Sequence, residues 1–257
     1  MGFEKYDAIK VSGDNQKEFI DTIVLEAPLQ ISINNEPYTV VMRTPGNDKE
    51  LIRGLLFAED IYKNTTKLNI KLLEDTENHF TIYNVLISDH DLGKGYMNKR
   101  SLLSVSSCGI CGKKSIEDIT VKGNSLKNIS KINPSKIEEM FEIMKKKQLV
   151  FKKTGASHAA AVFDSNYKLL DTKEDIGRHN AVDKTIGELL NRNLLKKSNY
   201  LLVSGRVSYE IVTKAFIAKI PTIIAVSGCS SLAIDFSKEF GITLIGFTRG
   251  LDLTIYN

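Results

Sequence analysis

Cysteine is scarce in this sequence, tryptophan is absent, and long apolar runs are missing. Three cysteines in 257 residues, a small and odd number, argue against a disulfide framework. No stretch reaches the roughly 18 uninterrupted apolar residues of a membrane helix, so we expect no membrane partner. The start lacks a basic segment followed by an apolar one, which predicts no signal peptide and a cytoplasmic location.

A strong net charge is also missing, and +4 over the whole chain gives no reason to expect nucleic-acid binding. The charge is unevenly spread. From Lys94 to Lys153 there are fourteen basic and five acidic residues, a local +9 that leaves −5 for the rest. This band is either a solvated linker and helix face or, because it contains two cysteines, a surface that favours a thiolate and attracts anions.

The order of the predicted elements indicates an α/β protein, α+β overall, with two parts. Turn residues separate short β-like runs at 22–26, 29–33, 38–43, 68–73 and 80–88, with one helix that Asn47 or Asp48 is expected to cap. From about residue 153 strands and helices alternate: a hairpin at 159–164 and 168–172, then strands at 200–203, 222–226 and 242–247, the last of the chain. Short strand–helix–strand links predict a parallel sheet.

These patterns predict three regions along the chain. An N-terminal α+β domain covers 1–105. A connector that carries a Cys-x-x-Cys loop covers 89–133, because Gly, Ser and Lys replace any periodic pattern there. A C-terminal α/β domain covers 134–257, and its first helix is predicted to begin at the capping box Ser135-Lys-Ile-Glu138.

The cysteine pair Cys108-Gly-Ile-Cys111 is the strongest candidate for chemistry. A glycine follows each cysteine, two serines precede the pair and two lysines follow it. Such a loop is exposed and electropositive, which lowers a thiol pKa and raises the thiolate fraction at neutral pH. Two cysteines three positions apart can also attack each other's disulfide or persulfide.

Two other roles for the pair stay open. A structural zinc site needs four ligands, and the remaining candidates are not at a partner spacing: His79, His90, His158, His179 and Cys229. A thioredoxin-like redox site needs a strand-to-helix junction within a βαβ unit, whereas this pair precedes such a pattern. The loop setting and the positive surroundings of the pair favour sulfur chemistry, and we expect no metal site.

A second constellation follows three predicted strands in the last third of the chain. Ser204-Gly205-Arg206, Ser227-Gly228 and Phe247-Thr248-Arg249-Gly250 each come at a strand end. If the strands are parallel, all three segments meet at the carboxyl edge of the sheet, where open α/β sheets bind ligands. Glycine turns, helix N-termini and arginines suit phosphates, and an aromatic ring can stack on a base. The pattern predicts an anionic, nucleotide-bearing ligand.

Two histidines lie among small residues and can be read in two ways. His158 lies within Thr154-Gly-Ala-Ser-His-Ala-Ala160, and Arg178 and His179 precede a predicted helix. Each histidine is either a buried, hydrogen-bonded side chain or part of a polar ligand-binding loop, and we expect Asp175 or Asp183 to orient His179.

Together these segments resemble the formate dehydrogenase accessory sulfurtransferases, the FdhD family. The resemblance runs over nearly the whole chain and rests on blocks in the same order: Ser107-Cys-Gly-Ile-Cys-Gly112, Thr154-Gly-Ala-Ser-His-Ala-Ala160, Glu174-Asp-Ile-Gly-Arg-His-Asn-Ala-Val-Asp-Lys184, Val203-Ser-Gly-Arg206, Val226-Ser-Gly228 and Ile245-Gly-Phe-Thr-Arg-Gly250.

The resemblance implies a sulfurtransferase that takes persulfide sulfur from a cysteine desulfurase and passes it to the bis-molybdopterin guanine dinucleotide cofactor of formate dehydrogenase. In that role Cys108 matches the persulfide carrier and Cys111 its partner. The stretch that holds the guanine dinucleotide matches Phe247, Thr248, Arg249, Gly250, Leu251 and Asp252. A chaperone that only binds the cofactor is the alternative.

The resemblance also implies a fold and an assembly. The C-terminal domain is expected to be a three-layer α/β domain like that of cytidine deaminases, with a smaller N-terminal domain, in a homodimer. Deaminase chemistry is not implied, because His158 lacks the glutamate two positions later and the downstream Pro-Cys-x-x-Cys that those enzymes need.

Overall fold

The computed structural model describes residues 2–64, 66–97, 123–126 and 132–256. The strands in these ranges are β1 (Phe3–Ser12), β2 (Asn15–Val24), β3 (Ala27–Ile33), β4 (Glu36–Arg43), β5 (Asn69–Asp75), β6 (Thr81–Leu86), β7 (His158–Phe163), β8 (Leu169–Asp175), β9 (Tyr200–Val203), β10 (Thr222–Ala225), β11 (Thr243–Arg249) and β12 (Asp252–Ile255). The helices are α1 (Asp48–Ala58), α2 (Lys94–Met97), α3 (Pro134–Lys147), α4 (Leu149–Thr154), α5 (Arg178–Asn191), α6 (Tyr209–Ile217) and α7 (Ser231–Phe240). The described part is therefore mixed α/β, as expected.

The N-terminal half contains two sheets. Strands β1 and β2 form a two-stranded antiparallel ribbon, and the other four pair in the order β4-β3-β6-β5. Alternate residues of β3 bury Leu29, Ile31 and Ile33 against Leu51 and Leu55 of α1, because successive side chains of a strand point to opposite faces.

The C-terminal half contains a six-stranded sheet in the order β12-β11-β10-β9-β7-β8. Strands β9, β10 and β11 are parallel, and β7–β8 is an antiparallel hairpin, which confirms both predictions. Ala160 and Val162 of β7 pack in one core with α5, α6 and α7. Ala161 and Phe163 pack in the other with α3. The result is the expected three layers of helix, sheet and helix; the closer likeness to cytidine deaminases stays a prediction.

Helices α1 and α5 join the two halves at a close crossing. A Cβ on Gly54 would lie 2.0 Å from the carbonyl oxygen of Asp183, and one on Gly187 would lie 1.9 Å from that of Glu50. No side chain fits at either position, so glycine allows the two backbones to touch.

A buried ion pair strengthens the same junction. The Lys184 ammonium lies 2.7 Å from the Asp175 carboxylate and donates to the Thr44 carbonyl oxygen at 2.7 Å. The backbone N–H of Thr44 in turn donates to Asp175 at 3.1 Å. These bonds connect the end of β4 with β8 and α5.

Three element predictions are wrong in part. Strand β2 begins at Asn15 and pairs with β1, a strand that was not predicted. The pattern did not indicate this ribbon because both of its faces carry polar as well as apolar residues. A further strand, β12, follows the predicted last strand by turning back at Gly250. Helix α3 begins one residue before the predicted capping box: Asn133 caps it by accepting from the Lys136 N–H at 3.3 Å, and Pro134 takes the first position, where no N–H is needed.

The predicted connector contains short helical turns where the structure describes it, at Asp89–Asp91 and in α2. None of the described helices is both long and apolar enough to cross a membrane.

Candidate functional site

Five strands of the large sheet bring their site residues to one edge. Parallel strands β9, β10 and β11 end there, so Ser204, Ser227 and Phe247 lie at neighbouring positions. Because β7 is antiparallel to β9 and β8 is antiparallel to β7, His158 at the start of β7 and Asp175 at the end of β8 reach the same edge. The predicted convergence at the carboxyl edge is confirmed.

Backbone hydrogen bonds continue past the strand ends and hold the turns in line. The Val226 N–H donates to the Val203 carbonyl at 3.2 Å, and the Phe247 N–H donates to that of Ser227 at 3.1 Å. The Val207 N–H donates to Gly228 at 3.1 Å. These bonds fix the turns relative to one another before any ligand is present, which is what a preformed ligand site requires.

A cavity of about 570 Å³ lies between this edge and helices α3 and α4, within the size range of small-molecule sites. Three of the predicted cofactor-binding residues line it: Ser204, Thr248 and Gly250. Its other lining residues come from both helices, the turn after α4 and the strand ends: Glu138, Phe141, Glu142, Met144, Lys145, Gln148, Phe151, Gly155, Ala156, Ser157, His158 and Val226.

Thr248 presents an unsatisfied polar atom at this cavity. The residue is 5 % exposed, and its Oγ1 has no hydrogen-bond partner among the described residues. A buried hydroxyl normally has a partner, because leaving it without one costs free energy. A polar ligand atom in the cavity would satisfy it.

The turn from β11 to β12 carries the predicted dinucleotide-binding stretch. Phe247 has a left-handed backbone (φ 52°) and is 52 % exposed. Its ring lies over Gly228, where a Cβ would come within 2.7 Å of the ring carbon Cζ. Arg249 pairs with Asp252 in the strand register, and Leu251 between them is 59 % exposed.

His158 forms part of the cavity wall beside the turn after β9. The Ser204 hydroxyl oxygen lies 3.4 Å from its Nδ1 and accepts the Ala159 N–H at 2.9 Å. A Cβ on Gly205 would lie 3.1 Å from the imidazole, so glycine makes room for the ring. Burial lowers the pKa of His158 below its usual range, and the Arg178 guanidinium acts in the same direction.

His179 and Arg178 have different surroundings although they are adjacent. The His179 imidazole Nε2 lies 3.1 Å from both the Glu210 carboxylate and the Ser208 hydroxyl of the α6 region, and the residue is 6 % exposed. This histidine links α5 to α6 and is not among the cavity-lining residues. The Arg178 side chain lies beside Gly205, and its Nε is buried without a partner among the described residues.

The prediction that Asp175 or Asp183 orients His179 stays a prediction. Asp175 pairs with Lys184, and Asp183 pairs with Lys214 at 2.6 Å. The Glu210 carboxylate, which lies 3.1 Å from the imidazole Nε2, is a further group that can orient this histidine. No local pattern indicates the contact between His179 and Glu210, because 31 residues and a strand separate the two side chains.

Of the two helices that form the wall of the cavity, α3 was predicted and α4 was missed. The Glu174 carboxylate caps α4 by accepting the N–H groups of Val150 and Phe151 at 2.9 and 2.8 Å, and it accepts the Ser157 hydroxyl at 2.7 Å. These bonds place α4 and the turn after it over the sheet edge. The only available signal was the apolar run 149–151 before two lysines, which is too short to indicate a helix by periodicity.

The cysteine pair Cys108 and Cys111 lies outside the described residues. Cys229 is the cysteine that the structure describes. Burial raises the pKa of its thiol to about 11, so it is a poor nucleophile at neutral pH. Within the described ranges no group of three or more His, Cys, Asp and Glu side chains is placed to hold a metal ion.

Comparisons with known proteins connect this architecture to one family. The family model for the FdhD/NarQ family matches residues 24–257. The sulfur carrier protein FdhD of Picrophilus torridus is 39% identical over 253 residues, covering 96% of this chain and 94% of the relative. The protein of the same name from Sulfolobus acidocaldarius is 38% identical and covers 100% of this chain and 97% of the relative.

A solved structure has the same fold. The crystal structure of a protein described as a formate dehydrogenase accessory protein, from Desulfotalea psychrophila, matches with a TM-score of 0.75 and 20% identity, covering 99% of this chain and 96% of that one. With a family model over nearly the whole sequence and relatives near 38% identity at full length, the chain belongs to the FdhD/NarQ family.

Proposed function

We propose that this protein is a sulfur carrier in formate dehydrogenase maturation. It takes persulfide sulfur from a cysteine desulfurase onto Cys108 and passes it to the bis-molybdopterin guanine dinucleotide cofactor, its substrate. Curated relatives that match almost end to end are named sulfur carrier proteins. The observation in the structure that supports this role most is the cavity at the carboxyl edge, because three turns suited to phosphates and bases adjoin it.

The sulfur chemistry is assigned to the cysteine pair. The Cys108 thiolate attacks the outer sulfur of the donor persulfide, the S–S bond of the donor breaks, and the donor cysteine leaves as a thiolate. Attack of the Cys111 thiolate on the inner sulfur of the Cys108 persulfide then releases hydrosulfide and leaves a Cys108–Cys111 disulfide, which a cellular thiol reduces. The third cysteine, Cys229, takes no part because its pKa is raised to about 11.

Mass spectrometry of the protein after incubation with a cysteine desulfurase and cysteine tests the carrier role. We expect an added mass of about 32 Da per sulfur, on the order of one sulfur per chain. Cys108→Ala should abolish the adduct, whereas Cys229→Ala, the matched control, should retain it. A Cys108→Ala variant that still carries sulfur, or still supports full formate dehydrogenase activity, would contradict the assignment to this cysteine.

Nucleotide binding is assigned to the cavity and the adjoining turns. With GDP as the probe, Thr248→Val should weaken binding about five-fold, the usual worth of one neutral hydrogen bond. Arg249→Ala should weaken it about ten-fold or more, because a hydrogen bond to a charged group is worth more. Calorimetry measures both. Unchanged affinity in both variants would place the nucleotide elsewhere.

The alternative function is a chaperone that binds the cofactor and carries no sulfur. The observation that favours it is that the described site holds binding groups only, and none of its side chains is an activated nucleophile. The two functions give opposite results in the same samples. Retained GDP binding without any persulfide adduct on the wild-type chain would establish the chaperone.

A further inference from the structure

A basic segment without acidic residues lies at the junction of α3 and α4. Five lysines occur at 145–147 and 152–153, and no Asp or Glu occurs from 143 to 163. All five lysines are exposed, and so are Leu149 and Phe151 between them, at 66% and 43%. Residues 145–153 are called the ridge below.

The stability of the two helices does not explain the charge of the ridge. A lysine near a helix C-terminus interacts favourably with the helix dipole, and the Lys152 ammonium donates to the Lys146 carbonyl oxygen at the end of α3, at 2.9 Å. Among the described residues, Lys145 alone of the five lysines has a carboxylate nearby, that of Glu142 at 3.5 Å. The other four positive charges repel one another, which favours a partner that supplies negative charge.

The shape of the ridge indicates a macromolecule and not a small ligand. Small-molecule sites are concave and bury most of their ligand, whereas the side chains of the ridge project from exposed helix positions. Helix α4 alone is six residues long, about 9 Å at the rise of a helix. Covering Leu149 together with the lysines on both sides of it requires a surface that carries carboxylates and apolar side chains.

The charges that border the ridge favour a protein over a membrane or a nucleic acid. Glu138, Glu139 and Glu142 lie on α3 directly before the ridge. The ribbon of β1 and β2 contacts α4 through β2, and residues 3–24 carry five acidic and three basic side chains. These carboxylates would repel an extended anionic surface that covers the lysines. An acidic patch of a protein is small enough to contact the ridge alone.

The inner side of the ridge is a wall of the candidate site. Lys145, Gln148 and Phe151 line the cavity, whereas Leu149 is not among the lining residues. A protein bound to the outer side of the ridge therefore lies beside the cavity that is assigned to the cofactor. The sulfur donor has to reach Cys108 instead, so the position of the ridge favours the protein that receives the cofactor.

We propose that the ridge is the docking surface for the enzyme that receives the cofactor. The occupant is an acidic segment of that enzyme with an apolar side chain between its carboxylates. The carboxylates pair with the lysines, and the apolar side chain packs on Leu149 and Phe151. The charge pairs set the association rate and its salt dependence, and the apolar contact sets the lifetime of the complex. That the recipient is formate dehydrogenase rests on the proposed function above.

Biolayer interferometry tests the docking surface, with cofactor-free formate dehydrogenase of the same organism as the probe. The wild-type chain should bind it, with an affinity that falls as salt is added. Lys146→Glu with Lys147→Glu should weaken binding about ten-fold or more, because like charges then face each other. Leu149→Asp should weaken it by a similar factor, because one apolar side chain is no longer buried.

Matched control variants carry the same changes on exposed residues in and beside β5. Lys67→Glu with Lys71→Glu reverses two exposed lysines, and Leu73→Asp replaces a leucine that is 59% exposed. Both should bind the dehydrogenase as the wild type does. Circular dichroism shows whether each variant is folded.

The ridge variants should also keep the persulfide adduct and the GDP affinity of the wild type, because their three changed residues do not line the cavity. A wild-type chain that forms no persulfide but binds the dehydrogenase through the ridge would overturn the carrier role and leave the docking surface in place. A persulfide-forming wild type that does not bind the dehydrogenase would overturn the docking surface alone.

Four other results would overturn the docking surface. They are ridge variants that bind the dehydrogenase as tightly as the wild type, equal weakening in the β5 controls, loss of GDP affinity in the ridge variants, and a ridge that serves another partner. The last is tested with the cysteine desulfurase, with vesicles that contain phosphatidylserine and with single-stranded RNA. Loss of binding to one of these, with binding to the dehydrogenase unchanged, would assign the ridge to that partner.

Discussion

His158 lies at the wall of the candidate site, and its surroundings favour the neutral imidazole. Burial lowers its pKa first, followed by the positive charge of Arg178; Arg206 adds to this, and Asp175 opposes it. The imidazole also lies 3.4 Å from the Ser204 hydroxyl. A neutral ring next to a hydroxyl can accept or donate a hydrogen bond at neutral pH, which an imidazolium cannot do in both directions.

The lowered pKa has a consequence for the pH dependence of folding. The unfolded chain, with a histidine pKa of about 6.5, binds more protons than the folded chain as the pH falls. The contribution of His158 to the free energy of unfolding is therefore fully present above about pH 6.5 and is lost as the pH falls from there through the pKa of the folded state. Urea unfolding from pH 8 to 5 should show a smaller decline in His158→Gln than in the wild type.

NMR titration of His158 gives the direct measurement. Its ring protons should titrate below about 6.5 in the folded protein, and Arg178→Gln should move the midpoint upwards by removing a neighbouring positive charge. A midpoint above the usual value for histidine, or no upward shift in Arg178→Gln, would contradict the described surroundings.

At the scale of elements, the crossing of α1 and α5 depends on two glycines. Gly54 and Gly187 leave no space for a methyl group, because the backbone of the facing helix fills it. Both residues lie inside helices, where glycine otherwise lowers stability relative to alanine. Their position shows that close backbone contact outweighs helix propensity here.

Gly54→Ala and Gly187→Ala should each lower the free energy of unfolding by about 1–3 kcal/mol, the usual cost of overpacking. Lys49→Ala, at an exposed position of α1, is the control and should change stability little or raise it slightly. Urea unfolding followed by circular dichroism measures all three. An alanine at 54 or 187 that stabilises the protein would mean that the helices cross at a greater distance.

For the whole molecule, the described contacts favour one folding unit over two separate ones. The α1–α5 crossing and the Thr44–Asp175–Lys184 bonds connect the N-terminal sheet with the six-stranded sheet. The division into an N-terminal domain at 1–105 and a C-terminal domain at 134–257 stays a prediction about how the sequence is organised. It does not follow that either part is stable alone, because each buries residues against the other.

Asp175→Asn should therefore destabilise both halves together. Removing one partner leaves the Lys184 ammonium buried without its carboxylate, which typically costs about 3–5 kcal/mol. Unfolding followed by far-ultraviolet circular dichroism and by tyrosine fluorescence should coincide in the wild type and in the variant. Two separated transitions, one for each sheet, would contradict the single unit.

Much of the C-terminal half could be predicted from the sequence, because its strands are short, apolar and followed by small polar turns. That pattern predicted parallel β9, β10 and β11, and it placed Ser204, Thr248 and Gly250 at one edge. Local propensity carries such signals, since each strand and turn is specified by its own few residues. The family could be identified for the same reason, from blocks of adjacent residues.

Only the tertiary structure decided which side chains meet across distant parts of the chain. The pairing of His179 with Glu210 and the capping of α4 by Glu174 join residues that no local pattern relates, because burial and electrostatics act between elements that the fold brings together. From the sequence alone, the absence of long apolar runs argued against a membrane partner, the small net charge against nucleic-acid binding, and the scarcity of cysteine against a disulfide framework. The cavity under α3 and α4, and the exposed apolar side chains of the β1–β2 ribbon, are properties of the packing alone.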